Sequence, residues 1–276
     1  MYSGPATAVV TGASSGIGAE YARQLGSAGW NLVLVARRAD RLAELASWLR
    51  ARTGVAVEPL TADLADPVDL GRVSARVAGA DVAFLVNNAG INGYGPFTEV
   101  DPALLAKVLA VNVVAPTLLT RAALPGMLDR GGGSVVNVAS LLAFAGSLPP
   151  DPLPWRATYG GSKGYLVTFT RTLAAELAGR PVRVQVVCPG LTATEFHLTT
   201  GEKSVPGGEE QVHAEGGMPA GDVVTASLAA LETGEVVCVP GLAERAAVDR
   251  LVAAEAELRA GSGSRIATRY QRPDHG

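Results

Sequence analysis

Seven short apolar runs, most of them rich in valine, punctuate the chain: TAVVT at 7–11, NLVLVA at 31–36, VAVEPLTA at 55–62, DVAFLVN at 81–87, SVVNVAS at 134–140, VRVQVVC at 182–188 and EVVCVP at 235–240. None shows the polar-out alternation of a strand with one face in water. They read as strands covered on both faces, the condition of a parallel sheet flanked by helices. Helical patterns fill the intervals near 16–28, 40–53, 67–78, 101–128, 157–179, 220–232 and 242–260. The alternation predicts an α/β fold, a doubly wound parallel sheet of seven strands with helices on both faces, in a single domain over 1–260. The tail 261–276 has little apolar material to hold it down and is expected to be flexible. Residues 199–221, rich in Gly and polar side chains, follow the sixth strand, where a long loop serves as a substrate lid; with the turn before it, the lid is expected at about 192–221.

The first strand runs directly into TGASSGIG. Gly12 permits the tight turn, Gly16 lets backbone approach a pyrophosphate, and Gly18 lets the helix pack close to the sheet, while the opening helix presents N–H groups to anionic oxygens. The spacing is G-x-x-x-G-x-G, and its place between first strand and first helix makes it a nucleotide-binding turn. The end of the second strand then selects the nucleotide. A site for NAD carries Asp or Glu there, whereas this chain has Ala36, Arg37 and Arg38. A guanidinium binds a 2′-phosphate through paired charge-assisted hydrogen bonds and a carboxylate repels it, so NADP(H) is the expected cofactor.

Charge narrows the partners. With 23 Lys and Arg against 26 Asp and Glu, a balance of −3, no basic field exists to attract nucleic acid or an anionic membrane, and neither partner is expected. The first residues lack a basic region followed by an apolar stretch and a cleavage site, and no membrane span is expected, so the reading is cytoplasmic. Cys188 and Cys238 each close an apolar run and are expected in the core. His197, His213 and His275 are scattered, and no metal site is expected.

Further motifs follow in order: Asp63-Leu64 after the third strand, NNAG at 87–90, Asn112 within VNV, Ser140 after the fifth strand, Tyr159-x-x-x-Lys163, and Pro189-Gly190 followed by Thr194. With TGASSGIG they make the sequence resemble, over nearly its full length, the classical short-chain dehydrogenase/reductase family, and within it the NADP-dependent bacterial oxidoreductases. The resemblance implies a Rossmann-type sheet and hydride transfer between a nicotinamide and a small, fairly apolar ketone or secondary alcohol. It also implies a homo-oligomer, dimer or tetramer, built on helix faces. Asn112, Ser140, Tyr159 and Lys163 become the catalytic set. Ser14, Ser15 and Ile17 join the glycines of the turn against the cofactor, and Tyr159 and Lys163 stand beside its nicotinamide end. Asp63 and Leu64 are expected at the adenine, Ala89 and Gly90 at the adenosine ribose, and Pro189, Gly190, Leu191, Thr192 and Thr194 around the nicotinamide. Asn87 is expected to tie strand backbones together and to contact the cofactor.

The chemistry can be rebuilt from the side chains. Reducing a ketone requires hydride on carbon and a proton on oxygen, so a proton donor must stand beside the carbonyl. Free tyrosine, with a pKa near ~10, is a poor acid-base group at neutral pH. An ammonium one helical turn away stabilises the phenolate and lowers that pKa. Tyr159 is thus the general acid and Lys163 its tuner, Ser140 holds the substrate oxygen, and Asn112 holds a water in a relay to Lys163 where the family pattern carries over. A non-catalytic NADP-sensing protein, or a lyase or epimerase, would use the same residues. One segment departs from the family's spacing: eighteen residues separate Ser140 from Tyr159, and the surplus is the proline-rich SLPPDPLPWRA at 147–157. Its prolines stiffen a loop expected at the mouth of the site or in an oligomer contact.

Overall fold

The computed structural model describes residues 6–194, 196 and 217–270. In chain order the strands are β1 (Thr7–Thr11), β2 (Asn31–Ala36), β3 (Val57–Thr61), β4 (Val82–Asn87), β5 (Gly133–Val138), β6 (Val182–Val187), β7 (Thr192–Ala193), β8 (Met218–Pro219) and β9 (Val237–Cys238). The helices are α1 (Gly16–Ser27), α2 (Ala39–Thr53), α3 (Pro67–Val77), α4 (Pro102–Leu109), α5 (Ala115–Asp129), α6 (Ala157–Glu176), α7 (Ala220–Glu232) and α8 (Ala246–Ala260). Seven strands pair in the order β3-β2-β1-β4-β5-β6-β9, all parallel. The winding reverses between β1 and β4, and in such sheets a crevice for ligands opens beyond the carboxyl ends of the strands at that reversal. TGASSGIG leaves β1 there, and NNAG leaves β4 beside it.

Successive strand side chains point to opposite faces, so the continuous apolar runs feed two cores at once. Ala8, Val10, Leu32 and Leu34 enter one with Tyr21 and Leu25 of α1, Leu42 and Leu49 of α2 and Val223 and Leu231 of α7. Val9, Val33 and Val35 enter the other with Leu70 and Val73 of α3 and Leu119, Ala123 and Met127 of α5. A buried polar chain fixes α7 within the first core. The Tyr21 hydroxyl donates to Ser227 Oγ at 2.5 Å, Ser227 donates to Gln185 Oε1 at 2.7 Å, and the Gln185 amide donates to the Ser227 and Glu235 carbonyls. Such groups are costly to strand without partners, so the chain locks α1, α7 and β6 together.

The helix expected over 101–128 is a single rod broken by a π-helical turn at Ala110–Val114, which carries Asn112. Asp101 caps its start by accepting from the Ala103 amide at 2.9 Å. By length and composition Pro102–Asp129, within which an 18-residue stretch has a mean hydropathy of 1.8, suffices to cross a membrane, although no such span is expected from the sequence. Val108, Val111, Ala115, Leu119, Ala123 and Met127 are nevertheless buried along it, as in the core helix of a folded domain, and Leu109, Val114 and Leu118 stay exposed.

Up to Gly241 the chain forms one compact unit that contains the whole seven-stranded sheet, and Leu242–Gly276 forms a second. In the second unit α8 has no buried residue and is followed by a 3-10 turn at Thr268–Tyr270. The expected lid is described only at its ends, where β7 and β8 pair in parallel and the Met218 amide donates to the Leu191 carbonyl at 2.9 Å. Its middle, with His197 and His213, lies outside the described residues, as do 271–276 with His275. Cys188 and Cys238 are buried and unbridged.

Candidate active site

The turn after β1 folds as its glycines allow. Gly12 and Gly16 take φ +67° and +53°, a region that disfavours other residues. A Cβ on Gly18 would stand 2.4 Å from both the Gly12 carbonyl oxygen and Asn88 Nδ2, and one on Gly16 would stand 3.0 Å from Thr194 Cγ2. The turn is therefore closed from below by Asn88 and from the far side by Thr194. Gly18→Ala is expected to lower unfolding stability by about 1–3 kcal/mol, because the methyl meets backbone that cannot yield cheaply. Urea denaturation measures this, and an unchanged midpoint would contradict the packing.

Ser15 occupies the N-cap of α1 without capping it through its side chain. Its hydroxyl accepts instead from Arg38 Nη2 at 2.7 Å, and Ser14 Oγ accepts from Arg38 Nε at 3.1 Å and Nη2 at 2.9 Å. The guanidinium is thus laid over the glycine turn, at the end of a strand that finishes on Ala36 rather than on a carboxylate. At the end of β3 the Asp63 carboxylate accepts from the Ala65 amide at 3.0 Å and from Lys107 Nζ at 3.3 Å. Partial burial works against its charge, but that amide, Lys107 and Arg37 outweigh it and hold the carboxyl below its ordinary range. A cradle with this glycine geometry, a preset guanidinium at its rim and no carboxylate on β2 fits a dinucleotide with a 2′-phosphate.

The consecutive asparagines of NNAG divide their work in a way that corrects the expectation for Asn87. Asn88 ties the strands, its Nδ2 donating to the Thr11 carbonyl at 3.0 Å and the Gly12 carbonyl at 3.3 Å. Thr11 Oγ1 answers by accepting from the Asn88 and Ala89 amides, both at 3.0 Å, and donates to the Val86 carbonyl. The Asn87 side chain turns the other way, towards α5 and β5, donating to Thr120 Oγ1 at 3.0 Å and Asn137 Oδ1 at 2.9 Å. Neighbouring residues leave a strand on opposite faces, so only one of the two can reach the turn. Thr11 and Asn88 were the residues missed.

The four catalytic residues converge from three places: the π-helical turn, the end of β5 and α6. Tyr159 and Lys163 lie in the first two turns of α6, which begins only after the prolines, and both are buried. Ser140 is near enough to the Tyr159 phenol to act on its ionisation, and its Oγ accepts from the Leu142 amide at 3.2 Å. Lys163 Nζ donates to the Val138 carbonyl at 2.8 Å. Asn112 is held by the Ile91 backbone, accepting from its amide at 3.0 Å and donating to its carbonyl at 2.9 Å, and it donates to Ser162 Oγ at 3.1 Å. Ser162 in turn donates to the Tyr159 carbonyl at 2.7 Å, joining the π-helical turn to α6. Gly90 stands between Lys163 and Asn112: a Cβ there would meet Lys163 Nζ at 3.3 Å and Asn112 Oδ1 at 3.4 Å. Its missing side chain therefore opens space at the catalytic end rather than only at a ribose.

Burial, then Tyr94, pushes the Tyr159 phenol above the ordinary range, and Ser140 only partly opposes this. Lys163 Nζ is turned to the Val138 carbonyl and lies 5.7 Å from the tyrosine ring centroid. Burial brings Lys163 itself down from 10.5 to about 8. The folded chain thus sheds this proton near pH 8, while the unfolded chain keeps it to 10.5. The burial penalty of the ammonium is complete below pH 8 and disappears as pH rises through that window. Lys163→Met is expected to be more stable than the parent at pH 7, with an advantage that shrinks by on the order of 3 kcal/mol towards pH 10. Denaturation of the pair at several pH values tests this, and a constant difference would contradict it.

The insertion is fastened rather than loose. Arg156 donates to the carbonyls of Ala145, Leu148 and Pro154, and the Gly95 amide donates to the Trp155 carbonyl at 3.1 Å. Leu148 and Trp155 remain more than half exposed, at 57% and 55%.

The family model for short chain dehydrogenases matches residues 6–204. Among solved structures, a short-chain dehydrogenase from Sphingobium yanoikuyae in complex with NADPH is 34% identical, with a TM-score of 0.86 over 96% of this chain and 100% of that one. The bulky-bulky ketone specific alcohol dehydrogenase from Comamonas testosteroni is 31% identical, with a TM-score of 0.84 over 97% of this chain and 99% of that one. A very-long-chain 3-oxoacyl-CoA reductase from Pyrenophora tritici-repentis is 35% identical over 68% of this chain and 55% of its own length. With three further curated relatives the pattern is similar: the chain spans between 55% and 61% of the length of these four.

Proposed function

This chain belongs to the short-chain dehydrogenase family, and on that premise we propose that it is an NADP(H)-dependent carbonyl reductase of small, fairly apolar ketones, equally an alcohol dehydrogenase in reverse. The observation that carries the reaction is the buried Tyr159 phenol, with Ser140 acting on it and Lys163 one helical turn away. When bound, NADPH supplies the hydride for the carbonyl carbon. Ser140 and Tyr159 together hold the carbonyl oxygen, and Tyr159 gives it the proton. A phenol pushed above its ordinary range stays protonated across the neutral range, so the proton that reduction needs is present on Tyr159. Arg38, preset on Ser14 and Ser15, would take the 2′-phosphate, the glycine turn the pyrophosphate, and Lys163 the ribose at the catalytic end. The ketone specificity in the name of the Comamonas relative supports the carbonyl chemistry, though not the small size, and the NADPH of the Sphingobium relative supports the cofactor.

A homo-oligomer is part of the same proposal. Leu109 on α4, Val114 on the π-helical turn and Leu118 on α5 are exposed, and so in part is Tyr165 on α6, whose hydroxyl lies 2.9 Å from Thr117 Oγ1. The test of the chemistry is isotopic. Deuterium on the transferable position of NADPH should appear on the carbinol carbon of the product. A product formed with no net change in cofactor redox state would point to a lyase or epimerase instead, and binding without turnover over a broad carbonyl panel to a sensor.

A further inference from the structure

Three rings meet at the catalytic phenol. Tyr94 packs edge-on against Tyr159, with centroids 5.2 Å apart and planes at 73°, and Phe196 lies against the same ring at 5.7 Å and 52°. Tyr94 sits on the loop after β4, which is held at both sides of it. A Cβ on Gly93 would stand 2.9 Å from Val108 Cγ2, so the loop lies flat on α4, and Gly95 is bonded to the Trp155 carbonyl. The Tyr94 ring is therefore presented by a fixed backbone, and burial raises its hydroxyl above the ordinary range, so the ring rather than a phenolate faces the site.

We propose that Tyr94 is the specificity-determining residue of this site, selecting ketones that carry a flat aryl group on one side of the carbonyl. The inference rests on the carbonyl-reductase reading above. A carbonyl reaching for Ser140 and Tyr159 brings its substituent against the rings already packed there. An aryl group then gains edge-to-face contacts that a saturated ring of the same size does not, beyond the area both bury. Acetophenone and cyclohexyl methyl ketone differ in this respect and little in bulk.

The test compares kcat/KM for these two ketones in the parent chain, Tyr94→Phe and Tyr94→Leu, together with calorimetric binding of both ketones to the NADP+-loaded protein. The parent is expected to prefer acetophenone, and Tyr94→Phe to keep the preference within about twofold. Tyr94→Leu should lose it by about tenfold while turnover of the saturated ketone stays within about threefold, which also shows that the variant is folded. An unchanged ratio in Tyr94→Leu, or an equal loss in Tyr94→Phe, would overturn the inference. If the parent reduces neither ketone yet binds acetophenone more tightly in a manner that Tyr94→Leu abolishes, the reductase reading fails and the aryl site stands. Equal binding by parent and Tyr94→Leu overturns the site on its own.

Discussion

Tyr159→Phe is expected to cut kcat for carbonyl reduction by about a thousandfold while the dissociation constant for NADPH stays within about threefold. The substitution removes one oxygen and leaves the ring, so the contacts with Tyr94 and Phe196 and the start of α6 persist. What disappears is the proton donor and one of the two groups that hold the carbonyl oxygen. Ser140 keeps its bond from the Leu142 amide and remains in place, so the residual rate reports what orientation alone supplies. Single-turnover kinetics separates this loss from any change in binding. A variant that kept more than about a tenth of the rate would mean that another group delivers the proton.

Arg38→Ala is expected to weaken NADPH binding by about thirty- to a hundredfold and to leave NADH within about threefold. Three hydrogen bonds from this guanidinium to Ser14 and Ser15 fix it over the turn, so it meets a 2′-phosphate with little ordering cost. The loss of one such charge-assisted contact is worth about 2–3 kcal/mol, which sets the fold-change. Arg38→Lys should recover only part of it, since an ammonium cannot span both serines and a phosphate in the same fork. Isothermal titration with both cofactors measures the effect, and equal losses for NADPH and NADH would place Arg38 in turn stability rather than in cofactor choice.

The fold was legible because its inner strands are covered on both faces and so announce themselves as unbroken apolar runs. The boundaries of β1 and β2 match the sequence reading residue for residue, and the edge strand β9, seen as EVVCVP, shortens to Val237–Cys238. The π-helical turn at Ala110–Val114 was not legible, since one extra residue per turn changes no apolar spacing that a reader can see. The candidate site was legible as a set of residue types in order, and less so in its directions. Which of Asn87 and Asn88 faces the turn depends on the strand's phase, and the phase is fixed by burial on both sides. The spacing of Tyr159 and Lys163 puts both on one helix face, but it cannot say that Nζ reaches Val138. Nothing in the sequence singles out Tyr94 within its loop: it is an aromatic among glycines, and only packing brings it to the catalytic ring.

The most direct measurement is the initial rate of cofactor oxidation by the purified chain over ketones, aldehydes and β-keto esters, run in parallel with NADPH and NADH. The proposed function predicts turnover of aryl and other apolar ketones, a kcat/KM at least about tenfold higher with NADPH, and its loss on Tyr159→Phe. Oxidation of neither cofactor by any carbonyl, or a preference for NADH that Arg38→Ala leaves unchanged, would contradict it.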